Sequence, residues 1–153
     1  MKLKQQENAQ LADRPTSEER VAELTRAQDA VRARLEQELG LTRWSDTGLG
    51  DGGAGCGEFP VSDGRTASLS GLLLTGGVPD AQWDRAAVLI EQVLRDFGFG
   101  AAETVVDNPG EHEVVLRGQL GALVRFGTLA NATLALETGC HLPADVAASL
   151  PPG

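Results

Sequence analysis

The sequence predicts an α+β fold, a two-layer sandwich in which two helices pack on one face of an antiparallel sheet of about four to five strands. Two long segments carry apolar residues at helical spacing, and the second half of the chain alternates short β-rich runs with turn signals. Repeated strand–helix–strand units, which would indicate a parallel Rossmann-like sheet, are not found in the pattern.

Length and charge are those of one acidic globular domain. The chain has 153 residues, of which 41% are hydrophobic and 23% are charged. Thirteen Lys and Arg residues against 22 Asp and Glu residues give a formal net charge of −9. Because a nucleic-acid-binding surface must neutralise phosphates, we expect no nucleic acid partner. No apolar run reaches the roughly 18 residues of a membrane-spanning helix, so the chain as written is expected to be soluble.

The first ordered element is predicted to be a helix that begins after residue 15. Residues 1–15 are polar, show no periodicity and end at a proline, which predicts a flexible tether. Thr16 and Glu19 then form the pattern of a capping box, and Gly40 stands where the helix should end. The predicted buried stripe consists of Val21, Leu24, Ala27, Val31, Leu35 and Leu39.

A short strand around residues 41–45 and a glycine-rich loop follow this helix. The loop is a weak candidate for phosphate binding, because no helix begins where the loop ends. Asp46 and Asp51 suggest calcium, but the ligand spacing of an EF-hand is absent. Glycines and these two aspartates could instead form an adaptable acidic rim, and residues 48–57 are our predicted interaction surface.

The rest of the chain predicts a strand, a second helix and a meander. One strand is expected in "GRTASLSGLLLTGG", and the helix should be capped by Asp80 and end at Gly98. Its buried side is expected to contain Trp83, Ala87, Ile90, Leu94 and Phe97. Three or more antiparallel strands should follow, and residues 146–153 are predicted to be a Pro-rich tail.

No pattern specifies a reaction or a cofactor. His112 lies between Glu111 and Glu113, but neighbours on a strand point to opposite faces, so we interpret these residues as solvated turn residues. A zinc site formed by Cys56, Cys140, His112 and His141 is conceivable, yet the spacing lacks a zinc-finger pattern. The G-x-S-x-G motif of serine hydrolases and the H-E-x-x-H motif of zinc-dependent hydrolases are also absent. We therefore predict no catalytic residues, no metal and no cofactor.

The order of elements resembles the LppA-like lipoproteins of actinobacteria over roughly residues 16–145. The resemblance is carried by the helix before the cysteine loop, by Trp44, and by the last strand, "NATLALETGCHLP". It implies a single domain over residues 16–145, anchored by a lipid to the outer face of the cell membrane and of undetermined biochemical role. The chain has neither a signal nor a lipobox cysteine, so we interpret it as the mature portion, with Met1 in place of the lipidated residue.

Export implies that the two cysteines pair. An even number of cysteines in an oxidising compartment favours a disulfide, and only one connectivity joins Cys56 to Cys140. Two buried free thiols in a cytosolic protein are the alternative. The bond should be structural, since the spacing of a redox-active cysteine pair is absent.

The leading functional hypothesis is a non-enzymatic binding or interaction domain of the cell envelope. Its partner would be an envelope protein or a small hydrophobic ligand, and membrane contact would be made only through an N-terminal lipid anchor that this chain does not contain. The alternative is a small carrier of a lipid or hydrophobic ligand, for which a cavity between helices and sheet would be evidence. A hydrolase or metal enzyme ranks last.

Overall fold

The computed structural model describes residues 2–151 and has an α+β fold. Within this part of the chain there are four α-helices, α1 Lys2–Leu11, α2 Ser17–Leu39, α3 Asp80–Arg95 and α4 Ala144–Ser149. The first four strands are β1 Trp44–Asp46, β2 Gly52–Gly55, β3 Arg65–Ser68 and β4 Leu72–Leu74. The last four are β5 Glu103–Asn108, β6 Glu111–Arg117, β7 Leu123–Thr128 and β8 Ala132–Glu137.

The sheet is antiparallel and larger than predicted. Six strands follow the order β1-β4-β8-β7-β6-β5, and β3 joins β2 to β8, so the described residues form eight strands rather than four to five. The prediction of the β5–β8 meander is confirmed. The prediction was wrong for the glycine-rich loop, where Gly52–Gly55 pairs with β3 as an exposed strand.

The segment predicted as one strand is divided into β3 and β4 at Ser70. The amide of Ser70 donates to a carboxylate oxygen of Asp51 at 2.7 Å, and its carbonyl accepts from the side chain of Gln28 at 3.2 Å. Side chains thus take the backbone groups that a continuous strand would use in its ladder. Chain periodicity cannot reveal this interruption, since both partners are distant in sequence.

Helices α2 and α3 pack on one face of the sheet, as the two-layer prediction requires. Leu24 and Leu35 of α2, Ile90 and Leu94 of α3, and the inward residues of the strands form one buried cluster. Along β8 the alternation is regular: Ala132, Leu134 and Leu136 are buried, whereas Thr133, Ala135 and Glu137 are exposed. The exposed side chains of this strand therefore lie on the face of the sheet opposite to the helices.

The boundaries of α2 agree with the sequence pattern. The Thr16 side chain accepts from the Glu19 amide at 3.2 Å, and Glu19 accepts from the Thr16 amide at 2.8 Å, which is the predicted capping box. Gly40 ends the helix in the left-handed conformation, at φ 67°. A non-glycine residue would be strained there.

The N-terminus of α3 differs from the prediction. Pro79 is the N-cap residue and no side chain caps the helix, so Asp80 is not the cap. Asp80 is instead the first helical residue, where the helix dipole favours a carboxylate, and its oxygens bind groups of the β5–β6 hairpin. The predicted stop at Gly98 corresponds to a turn after Arg95, with Gly98 at φ 84°.

Order begins before residue 15, contrary to the prediction of a tether. Helix α1 includes Leu11, which is fully buried in a second cluster with Cys56, Cys140 and Leu142. Polar contacts add to this packing: the Asn8 side chain donates to Asp63 at 2.9 Å and accepts from the Asp63 amide at 2.9 Å. Burial of Leu11 and these polar contacts together place a segment that the local sequence marks as polar.

The C-terminal region also contains more structure than the predicted tail. Helix α4 covers the start of residues 146–153, and Val146, Ala147 and Leu150 pack on the second cluster. Residues 152 and 153, at the end of the predicted tail, lie outside the described residues, as does Met1 at the start of the predicted tether.

Candidate functional site

Cys56 and Cys140 form a disulfide, as predicted. Their Cα atoms lie 5.8 Å apart, and the bond joins the segment after β2 to the segment after β8 across 84 residues of sequence. The described chain contains no free cysteine. Because both sulfurs are bonded to each other, neither is a thiolate that could bind zinc, and the imagined site of two cysteines and two histidines does not exist.

Gly64 makes room for the disulfide. A Cβ atom at this position would lie 2.5 Å from the Cys140 sulfur and 2.7 Å from a methyl carbon of Leu11. Only glycine allows the backbone of residue 64 to approach both groups. The sequence pattern did not identify Gly64, because the crowding comes from residues that are far away along the chain.

His141, next to the disulfide, is fully buried. Its Nδ1 lies 2.8 Å from the Pro15 carbonyl oxygen, which can only accept, so Nδ1 donates. Burial lowers the pKa of His141 below its ordinary value of 6.5, and the nearby Arg20 and Arg14 side chains act in the same direction. The histidine is therefore neutral at neutral pH and secures the linker between α1 and α2.

The predicted interaction loop has its two aspartates engaged within the protein. Both carboxylate oxygens of Asp46 accept from the Ser70 hydroxyl, at 2.7 and 2.8 Å, and one also accepts from the Gly48 amide at 2.6 Å. These hydrogen bonds, with that of Ser70 first, lower the pKa of Asp46. Asp51 accepts from the Ser70 amide. The loop is exposed, with Leu49 87% accessible at its tip, and its role in binding stays a prediction.

The strongest cluster of interacting side chains is centred on His112, which the sequence analysis placed in a solvated turn. That interpretation was wrong: His112 lies on β6 and is only 8% exposed. Its Nε2 lies 2.7 Å from Asp80 Oδ1 and its Nδ1 lies 2.8 Å from Asp107 Oδ1. Trp83 stacks on the imidazole, with ring centroids 5.1 Å apart. We call His112, Asp80, Asp107 and Trp83 the His112 cluster.

The cluster fastens the β5–β6 hairpin to the start of α3. Asp107 pairs with His112 across the two strands, so both side chains point to the helix-covered face. Asp80 also accepts from the Gly110 amide at the hairpin turn, at 2.9 Å. Trp83 continues the ring stack to Phe126, with centroids 5.5 Å apart. Two carboxylates and a ring stack thus hold one imidazole, which leaves neither ring nitrogen of His112 free to act as a base.

Both carboxylates favour the protonated imidazole. The Asp80 carboxylate, and to a smaller extent Asp107, raises the pKa of His112 above 6.5, while the desolvation of the ring opposes them. The hydrogen bond from His112, followed by that from the Gly110 amide, lowers the pKa of Asp80 below 3.8.

These two shifts predict how the cluster responds to pH. A raised histidine pKa adds stability that is complete below about pH 6.5 and is lost as the pH rises through the folded-state pKa. A lowered aspartate pKa adds stability above about pH 4 that is lost as the pH falls further. We expect His112→Gln to lower the melting temperature most between about pH 4.5 and pH 6.5, and less at about pH 9.

A matched control for this measurement is Glu38→Gln, which removes an exposed carboxylate of α2 that pairs with Arg85. Its melting temperature should follow that of the unmodified protein at every pH. A His112→Gln deficit that is the same at about pH 5.5 and about pH 9 would show that charge plays no part in the cluster.

Two open clefts adjoin the His112 cluster. The first, which we call the α3–β5 cleft, has a volume of about 320 Å³ and is lined by Trp83, Asp84, Ala87, Val88, Glu91, Ala102, Thr104, Asp107 and Val114. The second has a volume of about 240 Å³, and its lining includes His112, Glu113 and Gly127. A third concavity, of about 610 Å³, lies between α1 and Leu150.

The described residues show neither a metal-binding group nor a membrane-spanning element. Among residues 2–151, no three His, Cys, Asp or Glu side chains are arranged to hold a metal ion. In the same part of the chain, no helix combines the length and the apolar character needed to cross a bilayer.

With its antiparallel sheet covered by helices and its Cys56–Cys140 bond, the chain is a disulfide-bonded α+β sandwich domain. Residues 2–144 match the family model LppA, described as a lipoprotein confined to pathogenic Mycobacterium, and the chain belongs to this family. The suggested resemblance is confirmed and extends into the N-terminal segment. Membership of a lipoprotein family implies an envelope-associated protein.

Two solved structures have a similar fold. The putative lipoprotein LppA from Mycobacterium tuberculosis is similar with a TM-score of 0.76 and 16% identity, over 94% of this chain and 90% of that one. A DUF4853 family protein from Actinomyces odontolyticus is similar with a TM-score of 0.59 and 16% identity, over 87% of this chain and 72% of that one. A search of curated proteins found no match. At this identity, the structures establish the fold alone.

Proposed function

We propose that this protein is a lipid-anchored domain on the outer face of the cell membrane that binds a partner through the α3–β5 cleft, without enzymatic activity. The observation that carries the proposal is an open concavity between a helix and an edge strand, lined by apolar side chains and by the acidic residues Asp84, Glu91 and Asp107. Concave surfaces that combine apolar area with a few polar groups are the usual binding sites of proteins.

The rigidity of the cleft supports a binding role. Glu91 accepts from the Ala102 amide at 2.7 Å, which fixes the chain that leads into β5 against α3. Asp107, at the other end, is held by His112. Preorganised walls reduce the conformational entropy that a partner would otherwise have to offset on binding.

The envelope location is tested separately from binding. Expressed from its own gene in its natural host, the protein should incorporate an alkyne-tagged fatty acid and sediment with membranes. A soluble product without label would contradict the anchor, and would leave the binding surface to be judged by cross-linking.

Site-directed photo-cross-linking tests the binding surface. Val88 is 50% exposed and lines the α3–β5 cleft, so a photo-reactive residue at this position should give a discrete adduct in cells. Ala33, on the exposed side of α2, is the control position and should give none. A third probe at Leu49 tests the loop of Asp46 and Asp51. An adduct at Leu49 alone would move the surface to that loop, and none at either position would contradict the proposal.

The concavity of about 610 Å³ is a candidate site for the alternative function of a lipid or hydrophobic-ligand carrier, although it lies between α1 and Leu150 rather than between the helices and the sheet. It is lined by Ala9, Ala12, Leu150 and Pro151, together with the polar residues Gln5, Asn8 and Asp13. Its size suits a drug-sized molecule. Native mass spectrometry of protein purified from membranes in mild detergent should show a bound lipid if the carrier function is correct, and the apoprotein mass alone if it is not.

A further inference from the structure

We propose that the α3–β5 cleft takes a lysine or arginine side chain from an extended segment of a partner protein. This inference rests on the proposed function and names the chemistry of the partner. It commits to a protein segment, because the cleft is open along a sheet edge rather than enclosed around a free molecule.

The sign of the partner's charge follows from the groups at the cleft. Asp84, Glu91 and Asp107 supply three carboxylates, and no lysine or arginine lines the cleft. Two of these carboxylates already have partners within the protein, because Glu91 pairs with Arg95 and Asp107 contacts His112. Arg85 is engaged outside the cleft, by Glu38. Within residues 2–151, the side chain of Asp84 makes neither a hydrogen bond nor an ion pair, so its carboxylate is available to a cation.

The shape of the cation follows from the apolar lining of the cleft. Apolar residues line the cleft together with the carboxylates, and Val88, which is 50% exposed, offers accessible apolar surface there. A small hydrated ion would gain nothing from this surface, whereas the aliphatic stem of lysine or arginine can lie on it while the charged end reaches a carboxylate. A volume of about 320 Å³ suits one such side chain with its flanking residues.

Edge-strand pairing alone does not explain the cleft. Strand β5 is at the end of the strand order, but its pairing register with β6 shifts between Thr104 and Val106, which is a β-bulge. Bulges interrupt the regular row of backbone groups that an added strand would need. Recognition is therefore assigned to an inserted side chain, with Val105, 54% exposed beside the bulge, available to the rest of the segment.

The test is an NMR titration of the isotope-labelled chain with the blocked peptide Ac-Ser-Val-Arg-Val-Ser-NH2. The amides of Ala87, Val88 and Thr104 should shift in a saturable manner. A peptide with citrulline in place of arginine keeps the shape and removes the charge, and it should bind at least about fivefold more weakly. Raising the salt concentration should weaken only the arginine peptide.

Two variants distinguish binding at the cleft from a nonspecific attraction of the peptide to an acidic protein. Asp84→Asn should weaken the arginine peptide at least about threefold, whereas Asp29→Asn, on the exposed side of α2, should leave it unchanged. Equal binding of both peptides, or equal effects of both variants, would overturn the assignment of a cation. Shifts that avoid the cleft would overturn the site. An adduct at Val88 in cells together with either negative result would leave the proposed function standing and remove only the partner's chemistry.

Discussion

Replacing both Cys56 and Cys140 with serine should lower the free energy of unfolding by about 2–5 kcal/mol. The disulfide closes a loop with a sequence separation of 84 residues, for which chain entropy alone corresponds to roughly 4–5 kcal/mol. It also lies in the second cluster with Leu11 and Leu142, so its loss should loosen the docking of α1. Urea denaturation at neutral pH measures the difference.

The unmodified protein with its disulfide reduced is the matched comparison for this variant. It should unfold at nearly the same urea concentration as the double serine variant, because both lose the same constraint. A loss below about 1 kcal/mol would contradict a stabilising role for the bond.

Gly139→Ala should be comparably damaging, with a loss of at least about 3 kcal/mol. A Cβ atom at this position would lie 1.7 Å from the Leu120 carbonyl oxygen and 2.9 Å from the Gly121 Cα atom. These contacts are with backbone, so no side chain can rotate away. Leu120 already has a positive φ of 57°, which leaves that turn little freedom to move.

Gly57→Ala is the control, since a Cβ atom added to Gly57 would have no heavy atom within 4 Å beyond its own chain neighbours. Its free energy of unfolding should change by less than about 0.5 kcal/mol. Equal stability of Gly139→Ala and Gly57→Ala would show that the approach between Leu120 and Gly139 is not a constraint of the folded state.

Features that depend on residues close in sequence were predicted correctly. The capping box at Thr16 and Glu19 and the turn at Gly40 depend on residues within a few positions, and they placed α2 with its correct ends. Turn signals between the β-rich runs of the second half likewise predicted the antiparallel meander of β5–β8. The two-layer architecture followed from these elements.

Contacts between distant residues explain the errors. Asp80 has the sequence features of an N-cap, yet His112 and Gly110 engage its carboxylate from another element. Because most residues of α1 are polar, the sequence did not indicate that Leu11 is buried. Its burial depends on contacts with the disulfide region. His112 was interpreted as a solvated residue because strand alternation places Glu111 and Glu113 on the face opposite to its ring. The fold brings other partners to it, and Trp83 covers it.

Of the features described as candidate sites, the disulfide could be predicted from the sequence and the α3–β5 cleft could not. The pairing of Cys56 with Cys140 followed once the family resemblance implied an oxidising compartment, since only one connectivity exists. The α3–β5 cleft could not be predicted, because it is formed where Asp84 and Val88 on α3 face Thr104 and Asp107 on an edge strand. The positions of these residues along the sequence do not indicate that they line one cleft.

The most direct test of a disulfide-bonded domain outside the cytoplasm is the redox state of Cys56 and Cys140 in living cells. Protein expressed from its own gene in its natural host would be precipitated with acid, denatured and treated with a maleimide polyethylene glycol, with and without prior reduction. We expect Cys56 and Cys140 to react only after reduction, because both sulfurs are bonded to each other. Labelling of both thiols without reduction would contradict the proposed location outside the cytoplasm.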